Sequence, residues 1–127
     1  QLGLQKRVSW LGYREDVPNI LASLDILVLP STADEGIPQA ILQAHAMGKS
    51  VVGTNVEGIK EVIRDGETGL LAVPGQSESL AEKIGLLARA PLLRQTLGNR
   101  GREKSSNHSL TRMCEQLEID PTAALEL

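Results

Sequence analysis

The segment Leu24-Asp25-Ile26-Leu27-Val28-Leu29-Pro30 decides the fold class of this chain. Four consecutive apolar residues that end at a proline are typical of a strand buried on both faces of a sheet. Two later segments, Ser50-Val51-Val52-Gly53 and Leu70-Leu71-Ala72-Val73, indicate further short strands. An earlier segment, Val8-Ser9-Trp10-Leu11, ends at Gly12 and indicates a further strand. The sequence therefore predicts four short strands.

Helical patterns separate these strands. Apolar residues recur from Ile37 to Met47 at the spacing of one helix face, and Gly48 follows at the position where a glycine often ends a helix. Ser79 and Glu82 have the spacing of a capping box. Because strands alternate with helices, we expect an α/β fold with a parallel sheet and flanking helices. The remaining apolar stripes predict further helices at residues 16–24, 59–63, 80–87, 92–97 and 110–117.

Composition narrows the classes of protein. The 127 residues include 13 Lys and Arg against 16 Asp and Glu, and 41% are apolar, so we expect one globular domain over residues 1–127. A net charge of −3 gives no general attraction to nucleic acid, and no nucleic-acid partner is expected. The single cysteine cannot form an internal disulfide, and no apolar run is long enough to span a bilayer or to form a signal peptide. We therefore expect a cytoplasmic location.

The loop of residues 31–36 lies where ligands bind in parallel sheets, beyond the carboxyl ends of the strands. Gly36 has no Cβ to obstruct a ligand, and the free amides of the following helix, with Pro38 in its first turn, favour an anion such as a diphosphate. Glu35 adds a carboxylate that can accept hydrogen bonds from sugar hydroxyls. Gln43 follows eight residues later, about 12 Å along a helix, so one ligand could span both. A Glu-Gly pair is also a common helix cap, and the residues alone leave both interpretations open.

Four segments together resemble the donor-binding region of the retaining GT-B glycosyltransferases of family 4. They occur in order and without gaps, and they agree with the family in spacing as well as in residue type. The resemblance extends over about residues 5–115. The segments that carry it are Pro30-Ser31-Thr32-Ala33-Asp34-Glu35-Gly36-Ile37-Pro38, Ala44-His45-Ala46-Met47-Gly48-Lys49-Ser50-Val51-Val52-Gly53-Thr54, Gly58 to Glu61 and Asp65 to Leu71.

The resemblance implies a role for each residue of this loop and helix. In that family two glutamates eight residues apart bind a nucleotide-activated sugar, and the first, here Glu35, contacts the hydroxyls of the donor sugar at the catalytic centre. The backbone of Gly36, Ile37 and Pro38 would lie near the sugar and the diphosphate. The second glutamate, which contacts the ribose, is replaced here by Gln43, and the loss of its charge would weaken donor binding by about 1 kcal/mol. No metal ion and no cofactor is expected, since the sugar nucleotide is itself the substrate.

The resemblance also implies a reaction and a larger protein. The reaction is transfer of a sugar from a nucleotide-diphosphate-sugar to an acceptor with retention of the anomeric configuration, in a cleft between two Rossmann-like domains. This chain resembles the later part of the C-terminal domain, so we expect it to be inactive alone. The parent enzyme would act in polysaccharide or glycolipid biosynthesis and could be peripheral to a membrane. Glu57-Gly58 stands where the family has two glycines, and a carboxylate there would repel a phosphate unless it points away.

The resemblance has a consequence for folding as well. It places two strands before Gln1, and in the sheet these would lie between the strand at Val8 and the strand at Ile26. Without them the Ile26 strand has an unpaired edge. We therefore expect the chain to pair Val8–Leu11 directly with that edge, to form a dimer, or to exchange this segment with a second copy.

Other interpretations stay open beside the enzyme. One is a non-catalytic nucleotide-sugar-binding or oligomerisation module, which Gln43 favours. A dinucleotide-binding dehydrogenase domain is disfavoured, because no G-x-G-x-x-G follows a strand. His45, Trp10 and Cys114 are interpreted as packing residues rather than as metal ligands, a stacking platform or a reactive thiol. A solvated helix face, rather than a membrane or acceptor contact, is expected for Arg94, Arg100, Arg102 and Lys104.

Overall fold

The fold is seen in a computed structural model that describes residues 3–117, with the side chains of residues 3–105. Helices and strands alternate through most of the chain. Among the described residues, no helix combines the length and the apolar character needed to cross a membrane. The elements are α1 (Val17–Ser23), β1 (Ile26–Leu29), α2 (Gln39–Ala46), β2 (Ser50–Thr54), α3 (Ile59–Val62), β3 (Leu70–Ala72), α4 (Ser77–Arg89) and α5 (Pro91–Leu117).

The three strands form one parallel sheet in the order β1-β2-β3. Leu27 pairs with Val51, and Val52 pairs with Leu70. All five residues of the central strand β2 are buried, whereas the four residues of β1 are half-buried. The α/β class and the parallel Rossmann-like sheet with flanking helices are confirmed. Within residues 3–117, the unpaired edge of the Ile26 strand is confirmed too.

The core lies on both faces of the sheet. Because successive strand residues point to opposite faces, Val51 and Val52 of β2 belong to two separate clusters. The Val51 cluster includes Ile41 of α2 and Ile59 of α3, and the Val52 cluster includes Leu87 of α4. These five side chains are fully buried. Each contributes about 1.5–3 kcal/mol through the removal of apolar surface from water.

The predicted strand at Val8–Leu11 is wrong. These residues form no strand, and Trp10, which we interpreted as a core residue, is 93% exposed. The segment is also not paired with the open edge of β1, so direct pairing, the first of the three alternatives, is wrong as well. A short strand is stable only when it is paired and packed, and this segment has no strand partner among residues 3–117.

Two helix starts differ from the prediction. α2 begins at Gln39 rather than at Ile37, because Pro38 has an extended backbone (ψ 114°) and stands before the helix as its N-cap. α4 begins before Ser79, so the predicted capping box does not form. The Ser79 hydroxyl instead accepts a hydrogen bond of 2.9 Å from the Val73 N–H, which ties the helix to the end of β3.

α5 is one helix of 27 residues, where the sequence predicted two helices separated at Gly98. Gly98 lies inside α5 at a close approach to the turn between α2 and β2, since a Cβ there would lie 2.2 Å from the Gly48 carbonyl oxygen. Gly48 itself follows the end of α2 as predicted, with φ at +73°. A glycine can therefore mark close packing rather than a helix end. The packing interpretation of Cys114 falls outside the described side chains.

Candidate functional site

The candidate site is formed by the loops that follow β1 and β2. In a parallel sheet these loops lie side by side at the edge where ligands bind. Residues 31–36, here called the Glu35 loop, follow Pro30 after β1, and residues 55–58 follow β2. The buried Thr54 side chain donates a hydrogen bond to the Ser31 carbonyl oxygen and joins the two loops at their base.

Glu35 is exposed, and its carboxylate accepts a hydrogen bond from the Ser31 hydroxyl. That bond engages one of the two carboxylate oxygens, so the other remains available to a ligand. Among the side chains of residues 3–105, none forms an ion pair with Glu35. The carboxylate is therefore suited to a partner that donates hydrogen bonds, such as a hydroxyl group.

Further hydrogen bonds hold the backbone of the Glu35 loop against residues 55–58. The Glu35 N–H donates to the Glu57 carbonyl oxygen at 3.1 Å, and the Glu57 N–H donates to Asp34 Oδ1 at 3.2 Å. Gly58 has φ at +89°, and a Cβ there would lie 2.3 Å from the Glu35 carbonyl oxygen. The two loops approach this closely because position 58 has no side chain.

The side chain of Glu57 has a cationic partner. It forms an ion pair of 2.7 Å with Lys60 in α3. The hydrogen bond to Glu57 and the charges of Glu57, Asp34 and Glu61 raise the pKa of Lys60. Both side chains of the pair are about half exposed, so it adds little to stability, but it offsets the charge that we expected to repel a phosphate. Lys60 was not predicted from the sequence as part of the site, although Glu and Lys three residues apart are a known pairing signal.

The start of α2 carries three of the predicted donor-binding residues. Gly36 is exposed, and no atom lies within 4 Å of the place a Cβ would occupy. Ile37 is 43% exposed, whereas Pro38 is buried. Among residues 3–105, no side chain caps the N-terminal amides of α2 by a hydrogen bond. No described side chain therefore competes with an anion for these amides.

Gln43 is exposed on α2 and takes no part in the contacts that join the two loops. The sequence-based estimate of about 12 Å from Glu35 does not apply, because the chain is helical only from Gln39. Helical rise accounts for about 6 Å between Gln39 and Gln43. The structure thus brings together Glu35, Gly36 and Gly58, whereas Gln43 makes no side-chain hydrogen bond to them.

His45 has the packing role that the sequence predicted. It is 4% exposed, and its Nε2 lies 3.1 Å from the Thr68 carbonyl oxygen. Burial lowers the pKa of His45, so the neutral ring donates from Nε2 to that oxygen. Gly101 makes room for the ring, since a Cβ there would lie 2.7 Å from His45 Cδ2. Within residues 3–105, no three His, Cys, Asp or Glu side chains are grouped to hold a metal ion.

Arg94 differs from the other basic residues of α5. Its guanidinium donates to the carbonyl oxygens of Leu87 and Ala88 at 2.8 and 3.0 Å, so it completes the end of α4 instead of lying in solvent. Arg100, Arg102 and Lys104 are exposed, as expected for a solvated helix face.

The Glu35 loop is an open surface. A cavity of about 80 Å³ in the described part of the chain lies elsewhere, between α2, α3 and α5, and His45 and Val62 are among its lining residues. Glu35 and Gly36 line no part of it. An open face of this kind cannot by itself exclude water from a reaction.

Comparison with known proteins identifies the family. The sequence profile described as "Glycosyl transferases group 1" matches residues 1–90. The chain therefore belongs to the group 1 glycosyltransferases. Lipopolysaccharide core biosynthesis glycosyltransferase LpsE of Rhizobium meliloti is 36% identical over 102 residues, which cover 80% of this chain and 30% of that protein. An N-acetylgalactosaminyltransferase of Campylobacter jejuni, named for diacetylbacillosaminyl-diphospho-undecaprenol, is 41% identical over 90 residues, covering 71% and 24%.

Solved structures agree with this assignment. Anabaena Alr3699/HepE in complex with UDP-glucose has a TM-score of 0.80 and 33% identity, over 84% of this chain and 29% of that one. The C-terminal domain of the group 1 protein LpcC from Francisella tularensis has a TM-score of 0.69 and 27% identity, over 79% and 51%. The chain corresponds to the C-terminal part of such an enzyme. It spans less than a third of the length of LpsE, the Campylobacter protein and HepE.

Proposed function

We propose that this chain is the donor-binding part of an enzyme that transfers a sugar from a nucleotide-diphosphate-sugar to an acceptor, with retention of the anomeric configuration. The observation that carries the proposal is the exposed Glu35 carboxylate, which Ser31 holds at the carboxyl ends of two parallel strands. The Anabaena relative is described with UDP-glucose, which supports a nucleotide sugar as the donor here.

In this proposal Glu35 acts at the donor sugar. Its available oxygen accepts hydrogen bonds from the sugar hydroxyls and keeps the anomeric carbon in place. When the bond to the diphosphate breaks, positive charge develops on the sugar and negative charge on the leaving group. The Glu35 carboxylate stabilises the positive charge that develops on the sugar. The acceptor hydroxyl then bonds to the anomeric carbon on the face from which the diphosphate leaves, and its proton goes to the diphosphate.

The start of α2 takes the diphosphate. The backbone of Gly36, Ile37 and Pro38 borders the phosphates, and the positive end of the α2 dipole favours their charge. Gln43 hydrogen-bonds to the ribose, more weakly than a glutamate would. Because Lys60 offsets Glu57, the second loop adds no unpaired negative charge beside the phosphates. No metal ion or cofactor is part of this proposal.

Turnover needs more than this chain. The Glu35 loop is open, and enclosure of the reacting groups requires a facing surface. We expect the isolated chain to be inactive and the longer enzyme to act in the cytoplasm, peripheral to a membrane. Its acceptor would be a glycolipid or a growing polysaccharide. The Campylobacter relative is named for a diphospho-undecaprenol acceptor, which supports that class.

Without a facing surface, the open β1 edge favours self-association of the isolated chain or exchange of residues 8–11 with a second copy.

Calorimetry and a transfer assay on the full-length protein test the proposal. UDP-glucose, UDP-N-acetylglucosamine and GDP-mannose are titrated into the wild type and into Glu35→Ala, and the best-bound donor is assayed for sugar transfer. We expect Glu35→Ala to reduce transfer by a factor of roughly 100 or more, because a group that orients the reacting sugar is lost. Glu82→Ala on the exposed face of α4 is the matched control and should leave binding and transfer unchanged. Equal transfer by Glu35→Ala and the wild type would refute the role of Glu35.

The second candidate is a non-catalytic nucleotide-sugar-binding module, which Gln43 in place of a second glutamate favours. The same experiments distinguish the two functions. A module would bind a nucleotide sugar through Glu35 and transfer it to no acceptor, whether lipid or saccharide.

A further inference from the structure

A chain of hydrogen bonds runs from the buried end of β2 to the Glu35 carboxylate. We propose that Ser31 and Thr54 are positioning residues that set the direction of this carboxylate before a ligand binds. The inference rests on the proposed function, because it assigns these residues to the same site. Neither side chain was given a role of its own from the sequence, although Ser31 lies in the predicted loop.

This series of hydrogen bonds begins in the buried central strand β2. Thr54 is the last residue of the central strand and is 2% exposed, and in the sheet it pairs with Ala72 of β3. Its hydroxyl donates to the Ser31 carbonyl oxygen. The first residue of the Glu35 loop is therefore fixed to the sheet by a buried side chain, although it lies in an irregular segment.

Ser31 then acts on the carboxylate itself. Its hydroxyl donates to Glu35 Oε2, so the side chain has one engaged oxygen and one that is available. A glutamate side chain has several rotatable bonds, and an exposed one would otherwise sample many directions. Fixing it beforehand removes an ordering cost that binding would have to meet.

The other bonds of the loop hold the backbone and not the carboxylate. The Glu35 N–H donates to the Glu57 carbonyl oxygen, and the Glu57 N–H donates to Asp34. Among the hydrogen bonds of the described side chains, the one from the Ser31 hydroxyl is the one that reaches the Glu35 carboxylate. Loss of this hydroxyl should therefore impair recognition of the sugar and spare recognition of the nucleotide. Unfolding of the loop would impair both.

A double-mutant cycle on the full-length protein tests the inference. Ser31→Ala, Glu35→Ala and the double variant are titrated with UDP and with whichever of UDP-glucose, UDP-N-acetylglucosamine and GDP-mannose binds the wild type best, with GDP replacing UDP for a guanosine donor. We expect Ser31→Ala to weaken sugar-nucleotide binding roughly tenfold, about the effect of one charge-assisted hydrogen bond, with no change for the nucleoside diphosphate. In the Glu35→Ala background the same substitution should have no further effect, because the group that it positions is absent.

Two further variants separate positioning from folding. Thr54→Val removes the buried hydroxyl at nearly constant volume and should weaken sugar-nucleotide binding by a factor of a few, whereas Thr54→Ser keeps the hydroxyl and should restore it. Ser23→Ala is the matched control, since this variant removes a comparable hydrogen bond, from the Ser23 hydroxyl to the Ile20 carbonyl oxygen at the end of α1.

Each outcome decides between distinct conclusions. Equal losses for sugar nucleotide and nucleoside diphosphate, or full additivity with Glu35→Ala, would overturn the positioning role and leave the proposed function standing. Binding of the sugar nucleotide by Ser31→Ala at wild-type strength would do the same. If Glu35→Ala binds like the wild type, or if no donor binds, the proposed function fails and the inference fails with it.

Discussion

The Glu35 loop and the segment from Leu4 to Tyr13 are both exposed and irregular, but their partners differ. The Glu35 loop has polar, loop-forming residues, and hydrogen bonds to β2 and to residues 55–58 hold it in place. The N-terminal segment has the valine and tryptophan of a strand, yet Trp10 and Tyr13 are 93% and 89% exposed. Order thus follows from available partners more than from local propensity.

The largest expected effect comes from breaking the contact between the two site loops. Gly58→Ala would place a Cβ 2.3 Å from the Glu35 carbonyl oxygen at a φ of +89°, so we expect a loss of about 3 kcal/mol in the free energy of unfolding and a displaced Glu35 loop. Urea unfolding and donor titration measure both.

Gly66→Ala is the control for backbone strain alone. Gly66 has φ at +81° with no atom within 4 Å of a Cβ, so the cost should be about 1 kcal/mol. Equal losses for the two variants would mean that the loops do not need their close approach.

A smaller effect on the free energy of unfolding is expected from protonation of His45, whose ring forms a buried hydrogen bond with the Thr68 carbonyl oxygen. Burial lowers the pKa of His45 in the folded state below its ordinary value of 6.5, so the unfolded chain binds the proton more readily. The stability that this provides is complete above pH 6.5 and is lost as the pH falls through the folded-state pKa. We therefore expect the free energy of unfolding to fall between pH 7.5 and pH 5.

Thermal unfolding across this pH range measures the slope. His45→Gln keeps a side-chain N–H donor but cannot titrate, so its unfolding free energy should depend less on pH than that of the wild type. The comparison uses slopes because the substitution also changes the packing around Gly101. Parallel slopes would exclude His45 as the titrating group.

The smallest effect on stability is expected in the N-terminal segment. Trp10→Ser should change the free energy of unfolding by less than about 0.5 kcal/mol, since its side chain is almost fully exposed. If the isolated chain self-associates through this segment and the open β1 edge, the same change should shift its sedimentation toward the monomer. A destabilisation above about 2 kcal/mol would show that Trp10 is packed after all.

The candidate site divides in the same way between what could be predicted and what could not. Glu35 and Gly36 were predicted because a loop after a buried strand lies at the ligand edge of a parallel sheet. Three contacts were not predicted: the hydrogen bond from Ser31 to Glu35, the hydrogen bond from the Glu57 N–H to Asp34, and the ion pair of Lys60 with Glu57. The hydrogen bond between Asp34 and Glu57 joins two different loops, and its geometry exists only after β1 and β2 have paired. The Ser31–Glu35 bond and the Glu57–Lys60 ion pair are local in sequence, but exposed polar side chains have many rotamers, so their spacing alone does not fix these contacts.

The sequence by itself determined the strands that begin at Ile26, Ser50 and Leu70, because short apolar segments are local patterns. It also determined their parallel arrangement, because a helix follows each of the first two strands and connects it to the next. Tertiary structure decided that Val8–Leu11 stays outside the sheet and that α5 continues through Gly98. It also decided the direction of the Glu35 carboxylate. These outcomes depend on contacts between residues distant in the chain, where pairing partners, close approaches and hydrogen bonds exist only once the core has formed.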